Sequence, residues 1–85
     1  MEFKMISVGT IESNDCLINI QKHKEFQIVF INEEENPYAK HIKNLIQNYC
    51  KEHKNTNVLI EINDKGALDF CILARLKTAL ERLEK

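Results

Sequence analysis

Serine is scarce in this chain of 85 residues: Ser7 and Ser13 are the only two. Glycine is equally rare, at two residues, which excludes a glycine-rich loop of the kind that cradles nucleotide phosphates. The opening Met1-Glu2-Phe3-Lys4 lacks the apolar core of a signal peptide. No apolar run approaches the length that spans a bilayer; Ile28 to Ile31 is a strand's worth. These readings predict a cytoplasmic location and no membrane partner. Neither charge sign dominates, with 12 Lys+Arg against 13 Asp+Glu and a formal net charge of -1, so a nucleic-acid partner has no electrostatic basis. Cysteine is odd in number, at three, and with no export signal the expectation is free thiols. Cys50-x-x-His53 resembles half of a zinc site, but a structural site needs four ligands and no second closely spaced pair is present, so no metal ligand is assigned. No nucleophile–base pair at readable spacing appears, so no catalytic residue is assigned and the chain reads as non-catalytic.

What is present is an ordinary globular composition, 44% hydrophobic and 29% charged. The length predicts a single domain over residues 1–85, one that buries roughly 60–65% of its unfolded surface and has modest stability. Patches of alternation begin near Phe3 and predict a strand over about Ile6 to Glu12, with Ile6 and Val8 on one side. Cys16 to Gln21 alternates better, Leu17 and Asn19 opposing Ile18 and Ile20. After the polar turn Gln21–Lys24, Phe26 to Ile31 predicts a third strand with Phe26, Ile28 and Phe30 on one face. Three strands joined by short turns predict an antiparallel meander.

Glu33-Glu34-Glu35-Asn36-Pro37 predicts a helix start, with Asn36 as N-cap, Pro37 at the first helical position and the acids facing the helix dipole. Tyr38, Ile42, Leu45, Ile46, Tyr49 and Cys50 then form an apolar stripe, with both tyrosines expected in the core. Lys40, Lys43, Lys51 and Lys54 fill a solvated opposite face. A fourth strand over Val58 to Ile62 precedes a last helix whose stripe is Leu68, Cys71, Ile72, Leu76, Ala79, Leu80 and Leu83. Cys50 and Cys71 both read as small buried hydrophobes. The order strand, strand, strand, helix, strand, helix implies an α+β fold: a small two-layer sandwich, its sheet mostly antiparallel, with two helices on one face.

Two stretches carry the functional signal. Gly9-Thr10-Ile11-Glu12-Ser13-Asn14-Asp15 reads as a hairpin tip, because Ser, Asn and Asp hydrogen-bond the local backbone. A serine in a turn is usually there for the turn, but this tip would also push the Ser13 hydroxyl into solvent. Asn63-Asp64-Lys65-Gly66-Ala67-Leu68-Asp69, followed by Ala74-Arg75 and Thr78-Ala79, is the second. There Gly66 allows a sharp turn between strand and helix.

The pair, in this order and spacing, resembles the acyl carrier protein (gamma chain) of citrate lyase. The resemblance spans nearly the whole chain. It implies an acyl carrier subunit in which Ser13 is the cofactor-binding residue, joined through a phosphodiester to a phosphoribosyl-dephospho-CoA arm. The arm's thiol would hold acetyl and citryl thioesters during cleavage of citrate to acetate and oxaloacetate. The partners implied are the acyl-transferase (alpha) and lyase (beta) subunits and the prosthetic-group transferase. The Asp-Ser-Leu triplet of the four-helix carriers of fatty-acid synthesis is absent. Glu12 and Asp15 beside Ser13 suggest that negative charge repels a polyanionic arm from the tip. Rival readings are the carrier subunit of malonate decarboxylase, which uses a similar arm, and a small non-carrier interaction domain, including an RNA-binding sheet.

Overall fold

The computed structural model describes residues 4–85. The onset of alternation at Phe3 lies outside the described residues. The elements follow the expected order: β1 (Met5–Gly9), β2 (Cys16–Lys22), β3 (Gln27–Phe30), a short 3-10 turn (Glu33–Glu35), α1 (Ala39–Glu52), β4 (Val58–Asp64) and α2 (Asp69–Glu84). Side chains in a strand alternate between faces, so the pairing register decides what lines up. Val8, Ile18, Ile62 and Phe30 fall in one row across the four strands, and Ile6, Ile20, Ile60 and Ile28 in the next. These rows face the core, with Ile18, Ile20, Ile60 and Ile62 essentially inaccessible. The opposite face carries a polar row in which Ser7 donates to Asn19 and Asn19 donates to Glu61.

The strand order is β1-β2-β4-β3, which corrects the predicted meander. β4 lies between β2 and β3; it is antiparallel to β2 and parallel to β3. The turn residues could not distinguish a hairpin from a link that steps over one strand. Stepping over a strand requires roughly 10 Å, and the four residues between Lys22 and Gln27 reach about 13 Å when extended. The bond from His23 N to Asn57 O, 3.0 Å, ties that link to the start of β4. The parallel β3–β4 pair is then the expected strand–helix–strand crossover through α1. The sheet stays mostly antiparallel and carries both helices on one face, α2 over β1 and β2, α1 against β3 and α2.

Element ends depart from expectation. β1 stops at Gly9 rather than Glu12. The glutamates form their own turn, with Lys43 bonded to Glu33 at 2.8 Å, and α1 starts at Ala39. The N-cap is Tyr38 and not the expected Asn36, whose Oδ1 instead accepts from Tyr38 N at 2.8 Å in a turn just before the helix. Tyr38 is 67% exposed instead of buried, and Leu68 is 64% exposed, since both precede the first helical turn that reaches the sheet. Cys71 is only partly buried, whereas Cys16 and Cys50 are fully buried. Burial pushes the Cys16 thiol up to about 12 and the Cys50 thiol up to about 11. Among the described residues, no helix is long and apolar enough to cross a membrane.

Two measurements check this packing. Ile60→Ala, which empties the centre of the sheet, should cost about 2–5 kcal/mol in urea unfolding, a large share of the stability of so small a domain. Iodoacetamide at neutral pH should label Cys71 first, with Cys16 and Cys50 reacting only after denaturant is added; equal native labelling of all three cysteines would contradict their placement.

Candidate functional site

The link between β1 and β2, residues 10–15, is held by its own polar groups. Thr10 N bonds Cys16 O at 3.2 Å to close the hairpin, and Asp15 N bonds Glu12 O at 3.2 Å to close a turn over Ser13 and Asn14. Asn14 takes the third turn position with φ 68°, a left-handed value that asparagine tolerates. The Thr10 hydroxyl donates to Asp15 Oδ2 at 2.8 Å and accepts from Glu12 N at 3.2 Å. Gly9 is required at the hairpin's base: its φ is +103°, and a Cβ there would sit 1.9 Å from Cys16 O.

The second motif meets this loop directly. Asn14 N donates to Lys65 O at 2.8 Å, and Lys65 N donates to Asp15 O at 2.9 Å. Gly66 has φ +96°, and a Cβ there would sit 3.5 Å from Asn14 Oδ1. Asp64 shapes the turn from β4 into α2, accepting from Ala67 N at 3.0 Å and from Asn36 Nδ2 at 2.9 Å. Below the loop, Arg75 of α2 grips Asp15 with two nitrogens, Nε to Oδ1 at 3.2 Å and one terminal nitrogen to Oδ2 at 3.0 Å. That grip, aided by Thr10 and by Cys16 N, holds the Asp15 carboxyl at about 2 instead of its ordinary 3.8.

Ser13 stands at the outer edge of this assembly and is exposed. Among the described residues, none is hydrogen-bonded to its hydroxyl. Ser7, the other serine, is different: it lies within β1 and its hydroxyl is committed to Asn19. A free hydroxyl on a fixed turn can accept a covalent group. Among the described residues, no base is bonded to it.

Comparison with known proteins gives the family. A family model described as the malonate decarboxylase delta subunit (MdcD) acyl carrier protein matches residues 4–83. The citrate lyase acyl carrier protein of Treponema denticola is 37% identical, covering 96% of this chain and 95% of its own. That of Halothermothrix orenii is also 37% identical, covering 100% and 93%. The chain belongs to the citrate lyase acyl carrier protein family. Its fold is also that of a chain in the crystal structure of a Pseudomonas malonate decarboxylase hetero-tetramer in complex with malonate, with a TM-score of 0.71 at 19% identity over 98% of this chain and 99% of that one.

In this citrate lyase acyl carrier protein family member, the two sequence motifs form one structural unit rather than two sites. Sequence reasoning singled out Ser13 and both motifs but missed three contributors. Arg75 was noted without a role; its partner lies 60 residues earlier. Thr10 organises the loop through its hydroxyl. His41 joins the starts of the two helices through Nε2 to Asp69 Oδ2 at 2.7 Å. The expectation that Asp15 lends Ser13 negative charge is corrected: Arg75 compensates that carboxylate, leaving Glu12 as the exposed acid beside the serine.

Because Asp15 is depressed in the folded state, its stabilising contribution is complete above about pH 4 and fades as pH falls toward 2. In Arg75→Met, an NMR titration of Asp15 should move its midpoint back toward 3.8, and the Asn14 and Lys65 amides should lose exchange protection at neutral pH. An unchanged midpoint would show that the fork does not hold the loop.

Proposed function

We propose that residues 1–85 form one acyl-carrier domain, the carrier subunit of a citrate lyase complex, with Ser13 as the point of attachment of a phosphoribosyl-dephospho-CoA arm. The observation that carries this reading is the pairing of an exposed, uncommitted Ser13 hydroxyl with a loop fixed to the rest of the fold. When bound, the arm supplies a terminal thiol that holds acyl groups as thioesters. The chain's own residues present the attachment oxygen and orient the tether's origin. Asn14 and Asp15 are bonded to Lys65 through the backbone, so that origin does not drift. A tether with a fixed origin concentrates its cargo at successive sites, to the millimolar range for a short flexible link.

Partners of the proposed carrier are the acyl-transferase and lyase subunits and the transferase that attaches the arm, all in the cytoplasm. The carrier subunit of malonate decarboxylase is the second reading, favoured by the description of the matching family model. The relatives named citrate lyase acyl carrier protein, at 31–38% identity, weigh toward citrate lyase.

Intact-mass measurement of protein purified from its host should show an added mass that disappears in Ser13→Ala and persists in Ser7→Ala. The Ser13→Ala substitution should change unfolding stability by less than about 0.5 kcal/mol, since it is exposed and touches no network. An arm on any other residue, or none at all, overturns the assignment.

A further inference from the structure

The sheet ends that carry the Ser13 loop also carry the starts of both helices. Between those starts lies a groove of about 600 Å³ lined by Tyr38, Leu68, Phe70 and Ala67 together with Gly66 and His41. Three of these side chains are unusually open for large apolar groups: Tyr38 67%, Leu68 64% and Phe70 72% exposed. Gly66 joins the groove to the Ser13 loop, because a Cβ at this position would sit 3.5 Å from Asn14 Oδ1. On the far side of Tyr38 the groove continues into a second depression of about 310 Å³ lined by Glu35, Pro37 and Asp64. Among the described residues, Glu35 and Asp64 make no ion pair, so this rim carries an excess of negative charge, relieved locally by Lys65.

We propose that this groove is the docking surface for the core of the lyase complex, the assembled acyl-transferase and lyase subunits, through an apolar knob bordered by lysine or arginine. The proposal rests on the carrier reading and adds a place to it. Three exposed apolar side chains clustered around one concavity mark an interaction site. The acidic rim selects a partner of opposite charge and steers its approach. Contact at this place sets the Ser13 loop at the edge of the interface, where an attached tether stays free to swing. A fully apolar surface would suit a second copy of this chain equally, but two copies of this rim would oppose acid to acid.

The test uses the unmodified chain and the purified, assembled acyl-transferase and lyase subunits, with binding followed by calorimetry. Leu68→Ser with Phe70→Ser should weaken binding by about tenfold or more while leaving the circular dichroism spectrum intact. Glu35→Lys should weaken it less, and by an amount that shrinks as salt rises. Full affinity in both variants, or no binding by the parent chain, overturns the proposal. A concentration-dependent dimer in sedimentation that the same Leu68 and Phe70 changes dissolve also overturns it. Arm attachment at Ser13, read by mass, does not enter this measurement, so loss of the carrier reading and loss of the docking site remain distinguishable.

Discussion

The placement of Ser13 depends on a two-bond bridge between backbone segments far apart in sequence, Asn14 N to Lys65 O and Lys65 N to Asp15 O. A six-residue connection between antiparallel strands is ordinarily the loosest part of a small domain. Here it is pinned at its base by Thr10 and Cys16, along its side by Lys65, and from below by Arg75. Each neutral bond contributes on the order of 1 kcal/mol net, so their larger effect is orientation. The bonds engage the backbone and the carboxylate and leave the Ser13 hydroxyl free. The loop is thereby fixed without being buried.

That bridge exists only because of the strand order. β4 lies next to β2, and its last residue, Asp64, is paired with the first residue of β2, Cys16. A three-stranded meander with β4 at the outer edge would have placed β3 beside β2, and the loop after β4 would have been two strands away from Ser13. The parallel crossover through α1 prevents this. It brings β4 into the centre and aligns the end of β4, the starts of both helices and the β1–β2 loop at one end of the sheet. The polar contacts among those ends, Asn36 with Asp64 and His41 with Asp69, are possible for the same reason.

Much of this was legible in the residues. Period-two alternation set Ile18 and Ile20 on one face of β2, the face that is buried, and helical spacing identified Ile42, Ile46, Ile72, Leu76 and Leu80 as core. Ser13 was legible because Ser, Asn and Asp cluster between two strands. Strand pairing was not legible, because alternation states which face is buried and says nothing about which strand is the neighbour. Tyr38 and Leu68 were misplaced because a stripe continues beyond the point where the sheet gives it something to pack on. The Asp15–Arg75 fork spans 60 residues and has no local signature, and either residue alone reads as surface charge.

The placement of the thiols fits the proposed role of the hydroxyl. A carrier of thioesters must not transfer its cargo to its own cysteines, and such transfer needs a thiolate. Cys16 follows the Ser13 loop directly, yet it is fully buried with its thiol pushed up to about 12, and Cys50 is buried with its thiol at about 11. Cys71, which is partly open, is held beneath the loop with its sulfur 3.8 Å from Asp15 Oδ1. Ser13 has the complementary arrangement: it is open, but among the described residues no base is bonded to it. The exposed hydroxyl is therefore unactivated, and the two fully buried thiols are inaccessible. In the proposed role, chemistry at the tip waits for a partner that brings its own base.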